Sequence, residues 1–182
     1  MNKPVFLIGY MGSGKSSLGR QLAREMKREF IDLDKYIEER FHATIRQIFD
    51  RHGETEFRKI ERNIIHEVAE FENIIIACGG GTPCHYDNMD YMLSHGLTIY
   101  LNVSPEILAL RLSLPGSRTK RPLIAGKTDE ELLGFVQNEL EKRLPYYTRA
   151  EIKFNATHLK DKSETIQTAL KLAQVILDHE QN

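Results

Sequence analysis

The segment VFLIGYMGSGKS, residues 5–16, joins an apolar run to a glycine-rich motif. The apolar run, residues 5–8, predicts a short strand buried on both faces. Residues 9–16 fit the pattern G-x-x-x-x-G-K-[ST], in which backbone N–H groups surround phosphate oxygens at the start of a helix. In such a loop, Lys15 reaches the β- and γ-phosphates of a nucleotide and the Ser16 hydroxyl binds Mg²⁺. The segment therefore predicts nucleotide binding.

Further along the chain, short apolar runs alternate with helical patterns. The other predicted strands span residues 30–33, 73–78, 97–101 and 151–154. Helices are predicted from Lys15 to about Lys27, over residues 54–71, and from about Ser163 onward. The predicted buried stripes are Phe57, Ile60, Ile64, Val68 and Phe71 in the second of these helices, and Ile166, Leu170, Ala173 and Leu177 in the last. This alternation predicts an α/β fold, a three-layer α-β-α domain with a central, mostly five-stranded parallel sheet.

Three motifs whose residues could bind a ligand or take part in a reaction follow predicted strands. They are residues 9–16, residues 32–34 (DLD) and residues 79–81 (GGG). Sheets of this kind bind ligands at the carboxyl ends of their strands. The three motifs are therefore expected to form one active site.

The composition limits the other possibilities. The chain has 182 residues, 41% of them apolar, and its 25 Lys+Arg and 26 Asp+Glu leave a net charge of −1. This balance argues against a nucleic-acid or membrane-surface role, and no apolar run approaches the ~20 residues of a membrane span. Two cysteines, Cys78 and Cys84, are too few for a disulfide framework or a zinc site and are expected to be structural. We expect a single domain over residues 1–182, cytoplasmic and monomeric.

One region departs from this balance. Residues 107–128 contain five basic side chains and no acidic one. Pro115, Gly116 and Gly126 predict a loop in its middle, and residues 128–131 restart a helix with a capping-box pattern. Two interpretations remain open, a lid that closes over anions and a solvated surface loop.

The pair Asp32 and Asp34 also has two interpretations. If both residues end a strand, alternation places their carboxylates on one side, where one holds the Mg²⁺ shell and the other meets an acceptor hydroxyl. Alternatively, Asp34 is the N-cap of the helix that follows. Arg58 is either a ligand for a carboxylate or an ion-pair partner of Glu61, and Arg143 is either such a ligand or a charge at the end of a helix.

The ordered set of motifs resembles the shikimate kinase family over nearly the whole chain. These motifs are GYMGSGKS at 9–16, DLD at 32–34, IFDRHGETEFRKIE at 48–61, GGG at 79–81, RPL at 121–123 and RLPY at 143–146. The resemblance implies ATP-dependent phosphorylation of the 3-hydroxyl of shikimate, a step toward chorismate and the aromatic amino acids. It also implies a substrate-binding helical segment at about 34–61 and a mobile lid at about 112–125.

The resemblance assigns residues to both substrates. The implied ATP-binding residues are Gly12, Ser13, Gly14, Lys15, Ser16, Ser17, Arg111 and Arg121. The implied shikimate-binding residues are Asp34, Arg58, Gly79, Gly80, Gly81, Arg143, Phe49 and Phe57. Lys15, Asp34 and Arg121 would be catalytic, and Arg58 and Arg143 would clamp the substrate carboxylate.

The resemblance also implies finer roles within these sets. Ser16 would bind Mg²⁺ directly, and Asp32 would hold a water in its shell. Arg111 would stack near adenine, and Phe49 and Phe57 would form an apolar wall beside the shikimate ring. The segment 112–120 looks longer than in the family, so Arg118 or Lys120 could share the role of Arg121.

Two other functions compete with this one. A gluconate kinase would keep the phosphate-binding loop and the lid without needing Arg58 and Arg143 in these motifs. A nucleotide-dependent switch would use the same loop, although the N-K-x-D motif expected of a GTPase is missing from the sequence.

Overall fold

The computed structural model describes residues 2–118 and 122–181, without the side chains of Arg118 and Pro122. Within these residues the strands are β1 Val5–Ile8, β2 Glu29–Asp32, β3 Ile74–Ala77, β4 Leu97–Asn102 and β5 Ile152–Asn155. They form a five-stranded, all-parallel sheet in the order β2-β3-β1-β4-β5. The helices are α1 Lys15–Met26, α2 Leu33–Phe41, α3 Ile45–Val68, α4 Asn88–His95, α5 Pro105–Ser113, α6 Pro115–Arg118, α7 Asp129–Tyr147 and α8 Lys162–Glu180. The predicted α/β fold with a parallel sheet is confirmed.

The central strand β1 determines where the phosphate-binding loop lies. All four of its residues are buried, and Phe6 is in register with Ile76 of β3 and Thr98 of β4. A strand flanked on both sides needs this continuous apolar character. The loop that leaves β1 therefore emerges in the middle of the carboxyl edge of the sheet.

Asp34 does not lie in a strand, so the interpretation based on strand alternation is wrong. Strand β2 ends at Asp32, and α2 begins at Leu33. The N-cap is Asp32 rather than Asp34, because the Asp32 side chain accepts a hydrogen bond from the Lys35 N–H at 3.5 Å. Asp34 lies in the first turn of α2, where a carboxylate is favourable near the positive end of the helix.

The helix predicted over residues 54–71 begins earlier and ends sooner. Thr44 and Gln47 form a capping box at its start, and the chain leaves α3 after Val68, so that Phe71 is exposed. Gly53 interrupts the helix with φ 76° and ψ 172°, a conformation that is essentially restricted to glycine. The interruption separates the turns that carry Phe49 from those that carry Phe57.

Helix α8 confirms the predicted helix and the predicted burial of Ala173, but not the rest of the predicted buried stripe. Its buried residues are Thr168, Ala169, Leu172, Ala173 and Ile176. Leu170 and Leu177, which were predicted to face inward, are exposed. The helix packs against α1, and that contact selects one of two apolar faces.

The predicted lid contains short helices on both sides of the residues that are not described. Helix α6 covers Pro115–Arg118, and a 3₁₀ turn covers Pro122–Ile124. Lys120 and Arg121 lie outside the described residues. Both cysteines are free thiols, Cys78 buried and Cys84 partly buried.

Candidate active site

The phosphate-binding loop connects β1 directly to α1. Gly14 is the N-cap of α1 and has φ 95°, a left-handed backbone conformation that residues other than glycine rarely adopt. The N–H groups of the first helical turn therefore face the loop without a side-chain cap. This arrangement suits phosphate oxygens, which the N-terminus of a helix attracts.

A cavity of about 490 Å³ opens at this loop. It unites most of the residues predicted to bind ATP with both aspartates and two of the three glycines. Its predicted lining residues are Gly12, Gly14, Lys15, Ser16, Ser17, Asp32, Asp34, Gly79, Gly80 and Arg111. Met11, Ala77, Cys78, Leu114, Ser117 and Leu159 also line it. Ser13 does not, because its side chain is buried and its N–H donates to the Tyr10 carbonyl at 3.1 Å.

Lys15 is buried and lies under the loop. Its Nζ donates to the carbonyl oxygens of Gly9 at 2.8 Å and Tyr10 at 2.9 Å. Desolvation lowers the pKa of Lys15 to about 8, an effect that the negative charge of Asp34 opposes. The ammonium group is thus held by neutral carbonyl oxygens, which leave its positive charge without a carboxylate hydrogen-bond partner among the described residues.

The Asp34 side chain is accessible from the cavity, and protein atoms and other charged groups lie close to its carboxylate. Its side chain is open to solvent inside the cavity, and the protein around it raises its pKa to about 6 by desolvation. The negative charges of Asp32 and Glu61 raise it further, whereas Lys15 opposes the shift. A carboxylate with this pKa is a better proton acceptor than an ordinary aspartate.

The glycine turn at residues 79–81 lies between Arg58 and Arg143, the two arginines predicted to bind the substrate carboxylate. A Cβ on Gly80 would lie 3.2 Å from Nη1 of Arg143, and one on Gly81 would lie 3.0 Å from Nη1 of Arg58. A Cβ on Gly79 would lie 3.1 Å from Oδ1 of Asp34. The turn thus brings both arginines and the predicted proton acceptor to one short stretch of backbone.

The two predicted aromatic residues lie beside one of these arginines. The ring centroids of Phe49 and Phe57 are 4.4 Å apart. The Arg58 guanidinium carbon is 5.9 Å from the Phe49 centroid and 5.3 Å from the Phe57 centroid. Arg58 also makes the ion pair with Glu61, at 2.9 Å, which confirms that interpretation, and its role as a ligand for a carboxylate stays a prediction.

Glu61 is a site residue that the sequence reasoning did not select. Its side chain is 1% exposed, and its other oxygen accepts a hydrogen bond from the Thr82 hydroxyl at 2.5 Å. It therefore holds Arg58 and the end of the glycine turn together. The i,i+3 spacing from Arg58 was its only signal, because Thr82 is 21 residues away.

For Arg143 the interpretation as a charge at the end of a helix is wrong, whereas the role of Arg111 beside adenine stays a prediction. Helix α7 continues through Pro145 to Tyr147, so Arg143 lies inside the helix and not at its end. The Arg143 guanidinium carbon lies 5.0 Å from the centroid of the Tyr10 ring. Arg111 donates to the carbonyl oxygens of Gly12, Ala156 and Thr157 at 2.8–3.1 Å, which ties the phosphate-binding loop to the chain after β5.

The described residues include no cluster of three or more His, Cys, Asp or Glu side chains that could hold a metal. A nucleotide-bound Mg²⁺ needs fewer protein ligands, because phosphates and waters supply most of its shell. In the part of the chain that the structure describes, no helix is long and apolar enough to cross a membrane.

The fold and site define a P-loop kinase. The sequence profile of the shikimate kinase family matches residues 11–174. A shikimate kinase from Bacteroides thetaiotaomicron is 49% identical over 174 residues, which cover 96% of this chain and 98% of the relative. The chain therefore belongs to the shikimate kinase family.

Solved structures agree with this assignment. The crystal structure of the shikimate kinase from Bacteroides thetaiotaomicron has a TM-score of 0.90 at 48% identity and covers 96% of this chain and 98% of its own. The shikimate kinase from Acinetobacter baumannii in complex with shikimate has a TM-score of 0.83 at 29% identity and covers 100% and 97%. A gluconokinase from Sinorhizobium meliloti shares the fold alone, with a TM-score of 0.51 at 16% identity.

Proposed function

We propose that the chain transfers the γ-phosphoryl group of ATP to the 3-hydroxyl of shikimate, giving shikimate 3-phosphate and ADP. The observation that carries this proposal is the position of Arg58 and Arg143, which flank the glycine turn beside the phosphate-binding cavity. Shikimate is a carboxylate with several hydroxyl groups. Two guanidinium groups, a carboxylate and a close approach to backbone match that chemistry.

The residues in and beside the cavity divide between the two substrates. In the proposed function, Gly12, Gly14, Lys15, Ser16 and Ser17 of the cavity bind the phosphates, with Lys15 as the cation that faces the transferring group. Arg58 and Arg143 hold the shikimate carboxylate, and Phe49 and Phe57 pack beside its ring. Bringing the hydroxyl and the γ-phosphate together in this way supplies much of the catalysis, because phosphoryl transfer depends on positioning and charge neutralisation.

Asp34 accepts the proton in the proposed reaction. The 3-oxygen forms a bond to the γ-phosphorus as the bond from that phosphorus to the bridging oxygen of ADP breaks. The hydroxyl proton passes to the Asp34 carboxylate, whose raised pKa favours its uptake. Arg121 of the lid would neutralise charge on the transferring group.

The donor set fits Mg²⁺. Ser16 is exposed at the start of α1, and Asp32 lines the same cavity. One hydroxyl and one carboxylate that acts through water are the hard oxygen ligands that Mg²⁺ accepts beside phosphates. The bound ion would neutralise charge on the β- and γ-phosphates.

A panel of acceptors tests the function. ADP release by the purified chain would be measured with ATP and Mg²⁺ in the presence of shikimate, gluconate or a nucleoside monophosphate. We expect turnover with shikimate alone. Turnover of gluconate or a monophosphate without shikimate would contradict the proposal, and nucleotide binding without acceptor-dependent turnover would indicate a switch.

A further inference from the structure

Tyr147 binds the glycine turn from the side of α7. Its side chain is fully buried, and its hydroxyl donates to the Gly80 carbonyl oxygen at 2.5 Å. Its ring packs against that of Tyr100, with centroids 5.2 Å apart. Burial raises the pKa of Tyr147, so the hydroxyl remains a donor at any pH at which the protein is used.

The hydrogen bond from Tyr147 determines the orientation of one peptide group. The described residues contain no cis peptide bond, and in a trans peptide the C=O and N–H groups point in opposite directions. Holding the Gly80 carbonyl therefore fixes the direction of the Gly81 N–H. Among the described residues, neither the Gly80 N–H nor the Gly81 N–H donates to a protein acceptor. Two backbone donors in a fixed turn are thus available to an acceptor substrate.

The same helix carries Arg143 one turn before Tyr147. The Tyr147 hydrogen bond therefore connects the helix that presents a guanidinium group to the turn that presents two N–H groups. On its other side, the Arg143 guanidinium lies against the face of the buried Tyr10 ring. Loss of the Tyr147 hydrogen bond would therefore loosen the turn relative to the arginine.

We propose that Tyr147 is a positioning residue that orients the Gly80–Gly81 peptide and Arg143 toward the acceptor as one unit. The identity of the acceptor rests on the proposed function. The hydroxyl group performs this role, because a phenylalanine ring at position 147 would pack as well as the tyrosine ring does. Its removal leaves a buried carbonyl without its partner and loosens the acceptor subsite more than the nucleotide subsite.

Tyr147→Phe tests the proposal, with Tyr100→Phe as the matched control. Tyr100 belongs to the same buried pair of rings, but its hydroxyl makes no hydrogen bond within the described residues. For Tyr147→Phe we expect the KM for shikimate to rise about tenfold, as for one lost buried hydrogen bond, and the KM for ATP to stay within about twofold. Tyr100→Phe should leave both KM values within about twofold. Equal KM changes for the two substrates, or equal effects of the two variants, would overturn the proposal.

Hydrogen exchange of the protein without substrates gives a second measurement. The Thr82 and Cys84 N–H groups donate to the Gly79 and Gly81 carbonyls, so their exchange reports on the turn. We expect faster exchange at both positions in Tyr147→Phe and unchanged exchange in Tyr100→Phe. Unchanged exchange in Tyr147→Phe would refute the role of its hydroxyl. If the wild-type protein does not phosphorylate shikimate, the proposed function fails, whereas the exchange comparison still decides the role of Tyr147.

Discussion

The protein around the Asp34 carboxyl brings its pKa close to neutral pH. Its pKa is raised to about 6, and only its ionised form accepts a proton. The kcat/KM for shikimate should therefore fall about tenfold per pH unit below about pH 6 and be level above it, until other groups titrate. A pH profile of the wild-type protein from pH 5 to 8 checks this.

Asp34→Asn is the control for that profile. The variant should have a lower kcat at every pH, and its residual activity should lack the fall below pH 6. Its affinity for ATP should change little, because the side chain faces the acceptor in the proposed mechanism. An Asp34→Asn enzyme that loses only ATP affinity would contradict this assignment.

Lys15 has to exchange two carbonyl partners for phosphate oxygens if it binds ATP as proposed. Lys15→Ala should lower kcat by at least about a hundredfold, since it removes the cation next to the transferring charge. The fold should persist, which circular dichroism would check. Lys171→Ala, on the exposed face of α8, should keep the wild-type kcat. Wild-type activity in Lys15→Ala would remove the residue from the mechanism.

In helix α3, Gly53 determines how the two aromatic rings proposed to pack beside shikimate meet. Gly53 places the Phe49 ring against that of Phe57, and its φ of 76° with ψ of 172° costs about 1–3 kcal/mol for other residues. A Cβ there would meet nothing within 4 Å, so Gly53→Ala tests backbone strain alone. We expect a lower melting temperature and a higher KM for shikimate.

Gly134→Ala in α7 is the matched control for Gly53→Ala. A Cβ at Gly134 also meets nothing within 4 Å, but its φ lies outside the left-handed region. This substitution should stabilise the protein by about 1 kcal/mol through helix propensity. Thermal unfolding of both variants should therefore give shifts of opposite sign, and a stabilised Gly53→Ala would show that the kink is not required.

Helix α8 shows how far a periodic pattern can be used for prediction. The sequence around residues 170–177 has apolar side chains on both sides of the helix, so periodicity predicted the helix and the burial of Ala173 but placed Leu170 and Leu177 on the wrong side. Ile176→Ala should cost about 2–4 kcal/mol, because that side chain is fully buried. Leu177→Ala should change the free energy of unfolding by about 0.5 kcal/mol or less. Denaturant titration of both variants checks the face, and equal costs would contradict it.

At the scale of the whole molecule, local and distant contacts differ in how predictable they are. The phosphate-binding loop is a local motif whose sequence specifies its conformation, and the sequence predicted its place between β1 and α1. Glu61 and Tyr147 have no such motif. Their hydrogen bonds reach Thr82 and Gly80, 21 and 67 residues away, so their roles exist only once the sheet has assembled.

The net charge of −1 likewise does not predict how the charged side chains are distributed in the folded protein. The fold brings Lys15, Arg58 and Arg143 from three elements to the carboxyl edge of the sheet, where Asp34 and Glu61 also lie. An almost neutral chain thereby brings three cations together at one edge of the sheet, where anionic substrates can bind them. The glycine turn is the point at which the two halves of that pocket meet.

Gly80→Ala tests this convergence. A Cβ on Gly80 would lie 3.2 Å from Nη1 of Arg143, 3.4 Å from the Met11 nitrogen and 3.5 Å from the Gly9 carbonyl oxygen. The arginine can move aside at little cost, but the backbone of the loop cannot, so the turn itself has to shift. We expect the KM values for shikimate and ATP to rise together, each by about tenfold, in contrast to Tyr147→Phe. Gly126→Ala, where a Cβ would meet nothing within 4 Å, is the control that should leave both values unchanged. If Gly80→Ala raised the KM for shikimate alone, the turn would belong to the acceptor subsite and would not connect the two halves.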